Sequence, residues 1–191
     1  AVAVNQECIG IIYFEDKPKA HTFEMMAKLK QLGIQQLVML TGDNQQNAER
    51  IAKEVGITHF HAELHPEDKV KEITEIARLH PYTLMVGDGI NDAPALAKAY
   101  VGMAMGAQGV AIAAEAADIV LLDEDVRRVA SAVQIGKRMI TVARQGIILG
   151  MGLSLLLMCI AAFGLIPPPI GAILQEMIDV VVILNALRAK R

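Results

Sequence analysis

The chain of 191 residues lacks three features that would point to common classes of protein. Its two cysteines, Cys8 and Cys159, form no C-x-x-C unit, which argues against a zinc knuckle or a disulfide scaffold. Its net charge is −3, and no basic stripe interleaves with aromatic residues, so we expect no nucleic-acid partner. It opens on a strand-like run instead of a positively charged segment, so we expect no signal peptide.

Charge is also nearly absent from residues 147–187, where Glu176 and Asp179 are the only formal charges. Residues 147–166 form an uncharged run of about the length that an α-helix needs to cross the hydrocarbon core of a bilayer. Pro167-Pro168-Pro169 interrupts that run, and residues 170–187 are a second apolar stretch. The pattern predicts a transmembrane hairpin, so we expect the lipid bilayer to be a partner of this chain.

Cations flank this hairpin at both outer ends, whereas the turn between the two stretches is uncharged. They are Lys137, Arg138 and Arg144 on one side, and Arg188, Lys190 and Arg191 on the other. The positive-inside rule then predicts a multi-pass protein of the cell membrane, with residues 1–146 and the carboxy terminus in the cytoplasm. The alternative is a pair of buried core helices, but a soluble domain of this size has little chain left to enclose them.

The first 125 residues instead alternate short apolar runs with amphipathic segments, which predicts an α/β domain with a mainly parallel sheet covered by helices. The expected strands are residues 9–14, 37–40, 59–62, 83–86, 101–105 and 119–122. The expected helices are residues 22–32, 44–55 and 69–79, with another starting at Asp92. We therefore divide the chain into an α/β domain at 1–125, a linking helix at 126–146, and a membrane segment with its tail at 147–191.

Two carboxylates, Asp88 and Asp92, follow the apolar strand at residues 83–86. Ligands of open α/β folds bind at the ends of such strands, and the flanking Gly87 and Gly89 let the backbone approach a bound group closely. Mg²⁺ is often held by one or two carboxylates together with phosphate oxygens. The alternative is an acidic turn in which Asn91 and Asp92 only cap a helix.

Thr41-Gly42-Asp43-Asn44 repeats this arrangement of strand, glycine turn and helix start. A threonine hydroxyl and backbone N–H groups at a helix start can hold a phosphoryl group, although an ordinary helix cap is an equally good reading of the tetrapeptide. Lys69 would add a positive charge to the same phosphate, or is simply a solvated lysine. Together these elements predict a phosphoryl-transfer site, because such a site needs metal, donors and cation at once.

These residues carry a resemblance. Thr41-Gly42-Asp43, Lys69 and Gly87-Asp88-Gly89-x-Asn91-Asp92 are similar, in order and rough spacing, to the second, third and fourth motifs of the haloacid dehalogenase superfamily. The string GDGINDAPALAKA, with VGMAMG and ADIVLL after it, resembles the phosphorylation domain of P-type ATPases. The string ILNALR near the end resembles the heavy-metal class in particular. The match implies a Rossmann-like phosphorylation domain joined to the last membrane helices of a pump.

The resemblance implies a role for each matching position. Asp88 and Asp92 would hold Mg²⁺, and Asp43 would be closer to structural. Asp16 and Lys19 match a recurrent acidic–basic segment. The positions that match the catalytic motifs of the family are Thr41, Gly42, Asp43, Lys69, Asn91 and Asp92.

The motif D-K-T-G-T, whose aspartate the family phosphorylates, does not occur in this chain. We therefore expect a carboxy-terminal fragment that cannot hydrolyse ATP alone, with ATP bound mainly by a missing nucleotide-binding domain of the same pump. Two alternatives stay open: a soluble haloacid dehalogenase-like phosphatase, and a non-catalytic, membrane-anchored regulatory remnant of a pump.

The membrane stretch contains the candidate ligands for a transported ion. Glu176 and Asp179 are three residues apart within one apolar helix, where charged groups suggest an ion pathway or a buried partner on another helix. Oxygen ligands favour divalent Zn²⁺, Cd²⁺, Co²⁺ or Mn²⁺ over Cu⁺. The resemblance places Gln175 where zinc and cadmium pumps have Asp, cobalt-type pumps His-Glu, and copper pumps Met and Ser, and Gln175 fits none of these.

Sulfur ligands for Cu⁺ are the alternative to this oxygen site, although methionine often only fills packing gaps. The sulfur-bearing candidates are Met151, Met158, Cys159 and Met177. We expect no metal at His59, His61 and His65.

Overall fold

A computed structural model of the chain describes residues 2–4, 7–10, 17–88, 91–106 and 115–190. The chain divides into two compact units, Ala1–Ala130 and Ser131–Arg191. The first is an α/β unit and the second is helical.

The described residues of the α/β unit form three small sheets. Strands β1 (Val2–Val4) and β2 (Glu7–Gly10) pair antiparallel. Strand β3 (Val38–Leu40) pairs in parallel with β4 (His59–His61). The third sheet has the order β5–β6–β7, all parallel, and its strands are Leu84–Gly87, Val101–Met105 and Ile119–Leu121. The predicted α/β class with mainly parallel pairing is confirmed.

The helices that accompany these strands include α1 (Thr22–Gln31), α2 (Gln45–Val55), α3 (Pro66–Leu79) and the short α4 (Ala93–Leu96). Helix α2 begins where the side chain of Asn44 accepts a hydrogen bond from the amide of Asn47 at 2.9 Å. It ends at Gly56, whose φ of 75° is costly for any residue with a Cβ.

Two apolar clusters hold these elements together. One joins α3, β5, α4 and β6 through Ile73, Met85, Leu96 and Ala104. The other packs the end of α2 against β3 and β4, through the buried Ala52, Val55 and Ile57 and their neighbours. Each cluster therefore lies beneath one of the two strands, β5 and β3, that lead into the candidate motifs.

Two elements of the α/β unit have boundaries that differ from the sequence prediction by more than one residue. Helix α3 begins at Pro66, three residues before the predicted Lys69, because proline is well tolerated at the first helical position. The strand predicted at residues 9–14 is represented by β2, which ends at Gly10, and residues 11–16 lie outside the described part of the chain.

The helical unit consists of two long helices. Helix α5 (Arg127–Ala162) has 36 residues, α6 (Pro168–Ala186) has 19, and a short 3₁₀ turn (Leu187–Lys190) follows. The start of α5 is supported by Asp125, whose carboxylate accepts hydrogen bonds from the guanidinium and the backbone amide of Arg127. These hydrogen bonds lower the pKa of Asp125 to about 2.

The linking helix predicted at residues 126–146 and the first apolar stretch are one continuous helix. The stretch was predicted to reach Ile166, but α5 stops at Ala162, and Gly164 has a φ of 73°. The sequence had predicted that the three prolines stop the first helix, but α5 ends before them. They begin α6 instead, since a proline at the start of a helix sacrifices no backbone hydrogen bond.

Both helices are long and apolar enough to cross a membrane by length and composition. The chain itself buries only 6% of the apolar segment of α5 and none of the apolar segment of α6. Large side chains such as Ile148 and Leu165 are more than two-thirds exposed. A pair of core helices would be mostly covered by the chain itself, so the exposed apolar surface favours the membrane hairpin over that alternative.

The two helices approach each other closely at two glycines of α5, Gly146 and Gly150. A Cβ added to Gly150 would lie 3.0 Å from a methyl group of Val182, and one added to Gly146 would lie 3.7 Å from that side chain. Small residues at such positions let two helices approach each other within lipid.

Candidate phosphoryl-transfer site and hairpin polar cluster

The loop after β5 contains the first part of the site. Asp88 is exposed, directly after the last residue of the strand. Its carboxylate accepts a hydrogen bond of 3.3 Å from the amide of Asn91. An exposed carboxylate at the carboxyl end of a parallel strand is the type of ligand that Mg²⁺ prefers.

The second part is an ion pair between α3 and the same loop. The ammonium group of Lys69 lies 2.7 Å from a carboxylate oxygen of Asp92, and the two side chains are only 18% and 15% exposed. Lys69 is therefore not the solvated lysine of the alternative reading. Asp92 stands at the start of α4, but its side chain makes no capping hydrogen bond. The reading in which Asp92 only caps a helix is therefore wrong, because its carboxylate binds Lys69 instead.

Gly87 makes this arrangement possible. A Cβ on Gly87 would lie 2.6 Å from a carboxylate oxygen of Asp92 and 2.7 Å from its Cβ, and both distances are shorter than side chains tolerate. The glycine was expected from the sequence to allow close approach of a bound group. In the structure, the group that approaches it is Asp92.

The Thr41 motif lies at the carboxyl end of β3. The hydroxyl oxygen of Thr41 accepts a hydrogen bond of 3.1 Å from the amide of Asp43, and the carboxylate of Asp43 accepts one of 3.3 Å from the side chain of Asn47. The backbone of this turn is tied to the loop after β4, since Glu63 donates to the Asp43 carbonyl at 2.7 Å. Asp43 thus takes part in the hydrogen bonds that hold this turn.

The cap of α2 is Asn44 and not Thr41. The hydroxyl hydrogen of Thr41 has no acceptor among the residues that the structure describes, so it can donate to a ligand. Gly42 is exposed beside it, which leaves the backbone of the turn accessible. Donors of this kind at the start of a helix are suited to a phosphate.

The structure thus joins some of the predicted residues directly and leaves others apart. Lys69, Asp92, Asp88 and Asn91 are linked through one loop and one ion pair. Thr41 shares no hydrogen bond with Lys69 or Asp92 in the described parts of the chain. Lys19 is bound elsewhere, 3.3 Å from Glu124, and Asp16 lies outside the described residues.

In the hairpin, the polar contacts centre on Gln175 instead of Glu176. The amide group of Gln175 and the hydroxyl of Ser154 hydrogen-bond each other across the two helices, at 3.1 and 3.2 Å. The same amide donates to Asp179 at 3.4 Å. Glu176 makes no hydrogen bond or ion pair with any described residue.

Ser154 was missed by the sequence analysis. It lies 21 residues before Gln175, and only the place of the turn decides which residues of two antiparallel helices are opposite each other. The nearest signal in the sequence was a lone serine within a run of leucines.

The other metal candidates are not gathered into a site. Met151, Met158 and Met177 are each at least 60% exposed, and Cys159 is exposed as well. Within the described residues, no three of the side chains of His, Cys, Asp and Glu are grouped closely enough to hold a metal. His61 instead lies 3.2 Å from Glu72.

Comparison with known proteins identifies the family of the chain. A profile for haloacid dehalogenase-like hydrolases matches residues 1–99, which is more than half of the chain. The chain therefore belongs to the haloacid dehalogenase-like hydrolase family.

The particular relatives are heavy-metal pumps. The chain is 40% identical over its full length to a copper-exporting P-type ATPase of Bacillus subtilis, and covers 23% of it. It is 38% identical to a cadmium, zinc and cobalt-transporting ATPase of the same organism, and covers 28% of it. It also superposes on a solved zinc-transporting PIB-type ATPase in an E2.Pi state, with a TM-score of 0.84 and 35% identity, over 93% of this chain and 29% of that one.

The likeness to heavy-metal P-type ATPases thus extends over both units of the chain, as the sequence motifs had indicated. The chain spans about a quarter of the length of these curated relatives. Their cargoes differ while their identities to this chain are nearly equal, so identity does not choose a metal.

Replacing Lys69 and Asp92 by alanine, singly and together, should reveal a coupling of about 1–3 kcal/mol in the free energy of unfolding. Each single change leaves a largely buried charge without its partner. Urea unfolding of the α/β unit measures this coupling, with hydrogen exchange of the β5 amides as the readout of unfolding. Lys53 and Glu49 are the matched control: they have the same 2.7 Å separation but are 76% and 51% exposed. Their coupling should be much weaker, and equal values for the two pairs would contradict the importance of burial.

Proposed function

We propose that this chain is the part of an ATP-driven heavy-metal cation transporter that handles phosphate and Mg²⁺ and supplies two of the membrane helices. The observation that carries the proposal is the half-buried pair of Lys69 and Asp92 beside the exposed Asp88. That cluster lies on a domain followed by two apolar helices that the chain itself leaves exposed. The similarity to metal pumps over both units supports the same conclusion.

The exposure and contacts of each residue indicate its role in the proposed site. Asp88, exposed at the end of β5, would hold Mg²⁺, with Asp92 as the nearest second carboxylate. Bound there, Mg²⁺ would neutralise charge on phosphate oxygens. Lys69 is kept in place by Asp92 and would direct its positive charge towards the phosphoryl group. Thr41 and Gly42 would donate hydrogen bonds to that group from the turn after β3, and Asn91 would hold Asp88 in position.

The phosphorylated aspartate would come from another part of the pump. Strands β3 and β5 each have an edge with no backbone partner among the described residues. An unpaired edge of this kind is a template for a further strand. A strand with the nucleophile at its carboxyl end, paired to these edges, would place it level with Thr41 and Asp88. ATP itself would be bound mainly by a nucleotide-binding domain outside this chain.

In the membrane, we propose both ends of the hairpin on the cytoplasmic side and a divalent cation as cargo. Glu176 and Asp179 offer oxygen ligands, and the contact of Gln175 with Asp179 and Ser154 places two further oxygens beside Asp179. Hard and intermediate cations such as Zn²⁺, Cd²⁺, Co²⁺ and Mn²⁺ suit an oxygen site better than Cu⁺ does.

The chain alone should form no acyl-phosphate, because the motif D-K-T-G-T, whose aspartate the family phosphorylates, does not occur in its sequence. Incubation with ATP labelled at the γ-phosphate, followed by acid precipitation, checks this. Labelling that is stable in acid but released by hydroxylamine would show that a carboxylate of this chain is phosphorylated and would overturn the proposal.

In the complete pump, Asp88→Asn should reduce Mg²⁺-dependent turnover at least about a hundredfold, because it removes the charged metal ligand while preserving the size of the side chain. Metal-stimulated ATPase activity in vesicles measures this. Glu75→Gln is the matched control: among the described residues this exposed carboxylate pairs only with Arg78 on the same helix, so its loss should leave turnover unchanged. Retained turnover in Asp88→Asn would exclude Asp88 from the metal role.

For the cargo, Asp179→Ala and Glu176→Ala should each abolish stimulation by one divalent metal in a panel that contains Zn²⁺, Cd²⁺, Co²⁺, Mn²⁺ and Cu⁺. Metal-stimulated ATPase activity and the metal content of the purified pump provide the two measurements. The control is Met177→Leu, on the same helix between the two carboxylates. If Cu⁺ stimulates the pump, and Met177→Leu loses this stimulation while both alanine variants keep it, the assignment of the cargo to a divalent cation with oxygen ligands is wrong.

A further inference from the structure

The carboxyl end of α6 is joined to α5 by two arginines. Arg138 of α5 donates a hydrogen bond of 3.1 Å to the backbone carbonyl of Arg188. The guanidinium of Arg188 in turn donates to the side chain of Asn185 at 3.3 Å. Two positive charges from different helices are thus brought to the same end of the hairpin, although like charges repel each other.

No acidic residue of the helical unit offsets these charges. The only carboxylates between residues 131 and 190 are Glu176 and Asp179. Asp179 is nine residues from Arg188, which is about 14 Å along a helix. Both arginines are exposed. In the described part of the unit, each guanidinium uses one of its five N–H donors for a neutral acceptor. The pair therefore has both charge and hydrogen-bond donors left for an anion.

The place of the pair along the hairpin indicates which anion. Arg188 directly follows Leu187, the last residue of the second apolar stretch, so its guanidinium lies where the hydrocarbon of a bilayer ends. The contact with the Arg188 carbonyl brings Arg138 to the same level. The groups of a bilayer at that level are the phosphates of the lipid headgroups, and basic groups between helices at this boundary bind anionic lipids.

We propose that Arg138 and Arg188 form a binding site for the phosphate of an anionic phospholipid headgroup, such as that of phosphatidylglycerol. The planar guanidinium donates two parallel hydrogen bonds to a phosphate, which a lysine does not do. Phosphatidylcholine carries the same phosphate, but its own cation would face the two arginines. A bound anionic lipid would offset the repulsion between the two charges and strengthen the junction of α5 with α6.

The proposal rests on the placement of the hairpin in a membrane, and not on the cargo or on ATP. Its test needs neither. The 191-residue chain, purified in detergent, is titrated with phosphatidylglycerol or phosphatidylcholine, and native mass spectrometry counts the bound lipids. We expect the chain to retain phosphatidylglycerol in preference to phosphatidylcholine. Arg138→Gln and Arg188→Gln should each weaken binding of phosphatidylglycerol about fivefold.

Arg144→Gln is the matched control. Arg144 is an exposed cation of the same helix that makes no hydrogen bond or ion pair with any described residue, and it lies about 120° around α5 from Arg138. Its loss changes the net charge equally and should leave the binding of phosphatidylglycerol unchanged. Arg138→Lys retains the charge without the planar group, so it should bind more weakly than the unaltered chain.

Three results would overturn the proposal. They are equal retention of the two lipids, equal weakening by Arg144→Gln, and full binding by Arg138→Gln. The first would mean that the arginines serve a protein partner or only water, and the second that the attraction is a diffuse effect of net charge. Circular dichroism of each variant shows whether its helices are formed, and Arg138→Lys provides a second route if Arg138→Gln is not helical.

Discussion

The ion pair between Lys69 and Asp92 is the contact on which the candidate site depends. It joins helix α3 to the loop after β5, and it is feasible only because Gly87 leaves room for the Asp92 carboxylate. Since both side chains are mostly covered, each charge needs the other. Asp88, by contrast, is exposed beside this pair. One aspartate of the loop therefore positions a cation, while the other is the proposed ligand of a metal.

The hairpin likewise contains one polar side chain that is held by hydrogen bonds and one that is not held by any described residue. Gln175 is held by Ser154 and Asp179, whereas Glu176 is exposed and, within the described residues, makes no polar contact. In lipid, an ionised carboxylate without a partner is expensive. The exposed Glu176 is thus explained most simply if a cation or a further helix of a larger protein covers it.

Much of this architecture was predictable because its signals are local. Short apolar runs, amphipathic segments and the glycines between them indicated the parallel strands and the helices that connect them. Long uncharged runs indicated the membrane helices. The errors occurred where two local signals competed. Three consecutive prolines suggested a helix stop, but the chain had already turned at Gly164, so the prolines begin α6. Asp92 has the position of a helix cap, but a cation 23 residues away in sequence attracts its carboxylate more strongly.

The sequence by itself determined the class of fold, the apolar hairpin and the identity of the polar residues at the strand ends, since these follow from composition, spacing and the preferences of single residues. Only the tertiary structure decided which of those residues meet. The pairs Lys69–Asp92, Ser154–Gln175 and Arg138–Arg188 are separated by 23, 21 and 50 residues. Whether such residues touch depends on how the elements between them fold back, because a turn that shifts by one or two residues moves every contact across it.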